Sequence, residues 1–207
     1  MTRFVLRPVV EAPRGSPAAF WCPLPPKPWP DVVELSGSST DDEVALVLLQ
    51  LATYNRKGEG APLQPAELLA AEALVLPGGL QASDGARVIG PSCCCGLEGW
   101  TEWWLAIDDG SSPWLGHDPS PWLERQDDRF HLWPDEATPE RAADSPIRFT
   151  TAELQAQLEQ VPATLQGFLA RLREVLHACA PAEADALAAV YARTFVRSRS
   201  AEPGDTP

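Results

Sequence analysis

Three consecutive cysteines and a His-Asp pair are the side chains of this sequence best suited to chemistry. Residues 93–95 are all cysteine and precede a glycine and a predicted helix, while His117 and Asp118 lie in a loop flanked by glycine and proline. A helix N-terminus lowers the pKa of a thiol, and a histidine oriented by a carboxylate can act as its base. The pattern therefore allows a thiol-dependent enzyme with Cys95 or a neighbouring cysteine as nucleophile, His117 as base, and Asp118 or Glu102 orienting the ring.

The same residues also admit purely structural roles. Cysteines are small enough to fill a tight turn against tryptophans, and Asp118 can form an Asx-turn before Pro119. Side chains of adjacent cysteines are expected to diverge, and spacings typical of zinc sites such as C-x2-C do not occur. A metal site built from one of these cysteines with His117 and His131 is therefore not predicted. We expect neither a metal nor another cofactor, and the sequence favours a non-catalytic protein.

Tryptophans concentrate in the same part of the chain. Residues 93–133 hold six of the eight tryptophans, and a repeated Ser-Pro-Trp-Leu motif contains Trp114 and Trp122. Trp103 lies off the main apolar face of the predicted helix, so it is either covered on a second side or offered to a partner. So many indoles are hard to bury fully in one small domain, and tryptophan is enriched at interface hot spots. The candidate binding residues are Trp103, Trp114, His117, Asp118 and Trp122.

The charge distribution indicates what kind of partner such a surface selects. The net charge is −13, and residues 41–149 carry nineteen acidic against seven basic side chains. This negative field repels phosphate backbones, so nucleic-acid binding is not expected. It favours a basic protein partner, and an immunity- or antitoxin-like inhibitor is one concrete form of that function. Alternatives are the thiol enzyme, a small-ligand or metal-binding protein, and acid that serves only solubility.

Composition also predicts the surroundings of the protein. There is no apolar run of about 18 residues and no apolar signal core near the first residues, so a cytoplasmic location without membrane association is expected. Five cysteines, three of them consecutive, do not form the even pattern of a secreted disulfide framework. Two lysines against fourteen arginines indicate a GC-rich bacterial genome.

Hydrophobic periodicity predicts an α+β fold with short β-hairpins or a small antiparallel sheet, N-terminal helices and a C-terminal helical hairpin. We expect one domain over residues 1–197 and a disordered tail over 198–207. In the first half the expected elements are a strand over 3–10, a Pro-rich connector over 12–31, a strand over 32–35, an amphipathic helix over 41–55, a helix over 65–73 and a hairpin over 79–90. Because proline lacks an N–H, Pro8 predicts an edge strand or a strand end.

The second half should begin with a helix over 97–107. A hairpin of residues 121–125 and 129–133 follows, and then a connector over 134–146. Two capping boxes, beginning at Thr40 and Thr150, mark helix starts. Residues 150–197 should form the helical hairpin, kinked or split near Val161 by Pro162.

Overall fold

A computed structural model describes residues 4–15, 17–56, 58, 60–135 and 146–197. The strands are Val5–Glu11 (β1), Val32–Glu34 (β2), Gly78–Ser83 (β3), Val88–Ile89 (β4), Trp122–Gln126 (β5), Arg129–Trp133 (β6) and Ile147–Thr150 (β7). The α-helices are Asp41–Tyr54 (α1), Pro65–Leu69 (α2), Trp103–Asp108 (α3), Thr151–Leu158 (α4), Val161–Cys179 (α5) and Ala184–Phe195 (α6). A 3-10 helix, Leu97–Glu102, leads into α3. The predicted α+β class is confirmed, including the C-terminal helical hairpin.

The strands form two antiparallel sheets, in the orders β2-β1-β3-β4 and β5-β6-β7. Strand β1 is therefore interior, and the prediction that Pro8 marks an edge strand or a strand end is wrong. The proline is tolerated because β2 pairs only with residues from Val9 to Glu11. Just past that ladder, the Pro8 carbonyl accepts a hydrogen bond from the Leu35 N–H at 2.9 Å. Because Pro8 lies just outside the β1–β2 ladder, its missing N–H does not remove a hydrogen bond from within that ladder.

Both predicted hairpins form. Strands β3 and β4 are joined by four residues in which Gly85 adopts a left-handed φ of 83°. Asp84 does not share this positive φ. Its carboxylate instead stabilises the turn by accepting hydrogen bonds from the N–H groups of Ala86 and Arg87. Strands β5 and β6 are joined by a tight turn in which Asp127 adopts a positive φ of 57°.

Helix α1 is buried around its whole circumference. Residues 44–52 are nine consecutive buried positions, whereas Tyr54 is 51% exposed. The prediction that residues 41–55 form an amphipathic helix is therefore wrong about its faces. Helix α1 is covered by β1, β2 and α5 and does not present a polar face to solvent over residues 44–52. Its predicted capping box is confirmed, with the Glu43 N–H donating to Thr40 Oγ1 at 3.2 Å and the Thr40 N–H to the Glu43 carboxylate at 2.7 Å.

The C-terminal helices follow their sequence signals. The capping box at Thr150 begins α4, and the chain breaks before α5 at the position that Pro162 predicts. Gly167 lies in the middle of α5, where glycine disfavours helix by about 1 kcal/mol. A Cβ at Gly167 would come within 3.1 Å of the Gly37 backbone, so glycine here permits close packing of α5 on the loop before α1.

One continuous hydrophobic cluster joins both sheets to the helices. Phe4, just before β1, and Phe149 of β7 stack with ring centroids 3.8 Å apart, which connects the two sheets. The buried indole of Trp100 donates to the Phe195 carbonyl at 3.1 Å, which joins the 3-10 helix to the end of α6.

Some expectations lie beyond the described positions. Most of the connector over 134–146 and the whole tail over 198–207 lie outside the described residues.

Helix α2 ends at Leu69, four residues before the predicted boundary. Among the described helices, none combines the length and apolar character that crossing a bilayer requires.

The Trp100 hydrogen bond gives a stability prediction. Trp100→Phe should lower the free energy of unfolding by about 3 kcal/mol, because it leaves the buried Phe195 carbonyl unpaired and opens a cavity. Trp122→Phe is the matched control: this indole is 38% exposed on β5 and should change stability by about 0.5 kcal/mol or less. Chemical denaturation of both variants measures the difference, and equal effects would contradict the role given to Trp100.

Candidate functional site

Two loops distant in sequence lie side by side, and we call residues 92–95 and 114–118 the paired loops. The Ser92 N–H donates to the Leu115 carbonyl at 2.8 Å, and the His117 N–H donates to the Cys93 carbonyl at 3.2 Å. The Ser92 hydroxyl also donates to the His117 carbonyl at 2.9 Å. These bonds hold the backbone of both loops, so the side chains they carry project from a fixed frame.

The paired loops bring three potential ligand atoms together. The Cys93 and Cys94 sulfurs are 3.2 Å apart, and both lie within 4.8 Å of a ring nitrogen of His117. Cys94 has a φ of 68°, outside the extended region in which successive side chains point to opposite sides. The expectation that adjacent cysteine side chains diverge is therefore wrong for this pair, because one left-handed residue brings them together.

Cys95 does not have the properties of an activated nucleophile. It is buried, and its thiol donates to the Trp114 carbonyl at 3.5 Å. Burial raises the pKa of the Cys95 thiol to about 11, whereas reactive cysteines have a lowered pKa. This environment argues against Cys95 itself as the nucleophile of a thiol enzyme, whereas its neighbours Cys93 and Cys94 are exposed. Exposed Cys93 also has a raised pKa, chiefly because its thiol is hydrogen-bonded to that of Cys94.

His117 and Asp118 form the pair that the sequence suggested. Nδ1 of His117 is 3.1 Å from the Asp118 carboxylate, and the side chains are 45% and 92% exposed. The cluster that His117 joins contains Cys93 and Cys94 rather than Cys95. His131 lies elsewhere, on β6, where it pairs with Glu124 of β5 and Arg148 of β7.

A cleft of about 1000 Å³ opens beside the two exposed thiols. Its walls come from the end of β1, the C-terminal turn of α1 and the paired loops. The polar or charged side chains among its lining are Glu11, Arg14, Gln50, Thr53, Tyr54, Arg56, Ser92, Cys93, Cys94 and Asp118. The sequence did not reveal this cleft, since its walls lie far apart in the chain and carry no motif.

The tryptophans divide into buried and exposed groups. Trp103 is 2% exposed, so it is unavailable to a partner and is removed from the candidate binding residues. Trp100 and Trp104 are buried with it, and Trp133 is half-buried. Only Trp114 and Trp122 among the six indoles of residues 93–133 remain substantially exposed, and these are the two members of the repeated motif.

Trp114 is both exposed and fixed in place. The residue is 58% exposed, yet its indole N–H donates a hydrogen bond to the Cys94 carbonyl at 3.4 Å. Its backbone N–H donates to the Glu102 carboxylate at 3.2 Å. The ring stands edge-on to His117 with centroids 6.3 Å apart. We call Cys93, Cys94 and His117 the thiol-imidazole cluster. The exposed indole of Trp114 and this cluster thus belong to one surface.

The chain matches no protein-family model, no curated protein and no solved structure at a significant level. Its function is therefore argued from the chemistry of this surface, since a fold alone does not determine function.

Cysteine labelling tests the environments of the thiols. Iodoacetamide near neutral pH should modify Cys93 before Cys95, which we expect to react about 100-fold more slowly than an ordinary thiol of pKa about 8.5. The reason is that a pKa of about 11 leaves little thiolate at Cys95. Its rate should rise as pH increases toward 11, because deprotonation supplies the nucleophile.

Peptide mass mapping over time identifies each modified cysteine. Denatured protein, in which all five thiols are accessible, provides the reference rates. Labelling of Cys95 in the folded chain as fast as Cys93 would contradict the assigned burial.

Proposed function

We propose that this chain is a non-catalytic binding protein that captures a basic protein partner through an acidic surface centred on Trp114. The observation that carries the proposal is that Trp114 is 58% exposed although one hydrogen bond from its indole N–H and one from its backbone N–H hold it in place. An immunity- or antitoxin-like inhibitor in a bacterial cytoplasm is the form of this function that composition favours. The same acidic composition argues against a nucleic-acid partner.

The fixed orientation of Trp114 favours binding on energetic grounds. Ordering a mobile side chain at an interface costs about 0.5–1.5 kcal/mol, and a residue already held in place avoids most of that cost. Tryptophan also supplies a large apolar area and is among the commonest hot-spot residues. An indole anchored through its N–H leaves its ring faces available for a partner.

Carboxylates beside the indole support a basic partner. Glu102 holds the Trp114 backbone, and the Asp118 side chain, in the same loop as Trp114, is 92% exposed. Asp109 lies between α3 and Trp114 in the sequence. Hydrogen bonds from Ser111 lower the pKa of its carboxyl group, so Asp109 remains ionised at neutral pH. Such charges attract a basic surface during diffusion and disfavour acidic competitors.

Small-ligand binding is a second candidate function, and the cleft is the observation that favours it. Its volume of about 1000 Å³ lies at the upper end of the range of ligand pockets, about 300–1000 Å³. Arginines and carboxylates both line it, which suits a polar ligand better than an apolar one. A thiol enzyme with Cys95 as nucleophile is not favoured, because Cys95 is buried and protonated at neutral pH. Exposed Cys93 has a raised pKa, which also disfavours it as the nucleophile.

Substitution of the indole tests the leading proposal. Trp114→Ala should weaken partner binding by about 30-fold, the loss of about 2 kcal/mol expected at a hot spot. The wild-type chain is immobilised, retained proteins are identified by mass spectrometry, and the affinity of the purified partner is measured. The partner should be basic, and its affinity should fall as salt is added.

Val88→Ala is the matched control, because Val88 is an exposed apolar residue on β4, 62% exposed and outside the paired loops. It should retain the partner at wild-type affinity. Equal affinity for wild type and Trp114→Ala, or retention of acidic proteins alone, would overturn the proposed function.

A further inference from the structure

We propose that Cys93, Cys94 and His117 form a binding site for one thiophilic d10 cation, Zn²⁺ or Cu⁺. This goes beyond the capture of a protein partner and does not depend on it. The site is formed by side chains that the sequence alone did not place together.

The donor set selects the class of cation. Two sulfurs and one imidazole nitrogen are the ligands that Zn²⁺ and Cu⁺ prefer, whereas Mg²⁺ and Ca²⁺ prefer oxygen. Binding of Zn²⁺ breaks two S–H bonds, forms two metal–sulfur bonds and releases two protons to solvent. The imidazole contributes a lone pair and remains neutral.

The spacing of the donors fits a single ion. Zinc–sulfur bonds of about 2.3 Å at tetrahedral angles place two sulfurs about 3.8 Å apart. The Cys93 and Cys94 sulfurs are 3.2 Å apart, and all three donor atoms lie within 4.8 Å of one another. Small rotations of exposed side chains are enough to close this difference, because no core packing holds them.

The backbone beneath the donors is fixed independently of any ion. Gly116, with a φ of 93°, lies so close to the other loop that a Cβ there would be 2.5 Å from the Cys93 carbonyl. The His117 N–H and the Trp114 indole donate to the carbonyls of Cys93 and Cys94, respectively. Ordering the loops therefore adds little to the cost of binding the ion.

Asp118 supplies the supporting interaction that histidine ligands commonly have. Its carboxylate is 3.1 Å from Nδ1 of His117. A carboxylate that accepts from one ring nitrogen fixes the tautomer and strengthens the other nitrogen as a donor. The hydrogen bond leaves Nε2 of His117 for the cation. Asp118 is thus a positioning residue for the site.

Three protein donors leave a tetrahedral ion with one further position. Cys93, Cys94 and Asp118 all line the cleft, so water or a small anionic ligand can reach an ion held there. Cu⁺ is satisfied by three donors, whereas Zn²⁺ takes a fourth ligand from solvent. The two cations therefore differ in whether the cleft contributes a ligand.

Titration of the full chain with Co²⁺, in a non-thiol reductant, tests the site. We expect one equivalent to bind with a thiolate-to-cobalt charge-transfer band, and Zn²⁺ to displace it. Cys93→Ser, Cys94→Ser and His117→Gln should each lower Zn²⁺ affinity by more than about 100-fold. Asp118→Asn should lower it by about 10- to 100-fold, the usual effect of removing the partner of a histidine ligand.

Cys179→Ser and His131→Gln are the matched controls, because both residues lie outside the cluster. They should bind one equivalent as wild type does, and circular dichroism checks that every variant is folded. A parallel titration with Cu⁺ that succeeds where Zn²⁺ fails supports the trigonal form of the site. The proposal is overturned if neither cation binds, if Mg²⁺ competes equally, or if the three cluster variants bind as tightly as the controls.

Discussion

Burial of α1 on every side is the constraint on which the rest of this structure depends. Nine consecutive residues, 44–52, are buried, and each large apolar side chain among them gains about 1.5–3 kcal/mol by burial. One flat layer cannot cover a helix all round, so β1, β2 and α5 must enclose it together. Near its C-terminal end α1 becomes a wall of the cleft, through Gln50, Thr53 and Tyr54.

The paired loops show how exposed chemistry is placed on a rigid support. Cys94 and Asp118 both have positive φ angles, a conformation that costs energy for residues other than glycine. Backbone hydrogen bonds between the loops, together with the close approach at Gly116, hold these conformations. Two of the three non-glycine residues with a positive φ in the described part of the chain therefore carry a thiol and a carboxylate of the candidate site.

Trp114 links the two functions proposed for this surface. Its indole N–H donates to the Cys94 carbonyl, and its ring stands edge-on to His117. A partner that covers the indole would therefore lie beside the thiol-imidazole cluster. The buried tryptophans have a different role, since Trp100 joins the 3-10 helix to α6 within the hydrophobic core.

Sequence alone determined the elements whose signals are local. The capping boxes at Thr40 and Thr150, the break at Pro162 and the two hairpins depend on neighbours a few residues away, and all are present. Only the tertiary structure decided that Trp103 is buried and Trp114 exposed, because burial depends on what packs against a side chain from distant segments. It alone placed His117 beside Cys93 and Cys94, because hydrogen bonds between two loops distant in sequence bring them together.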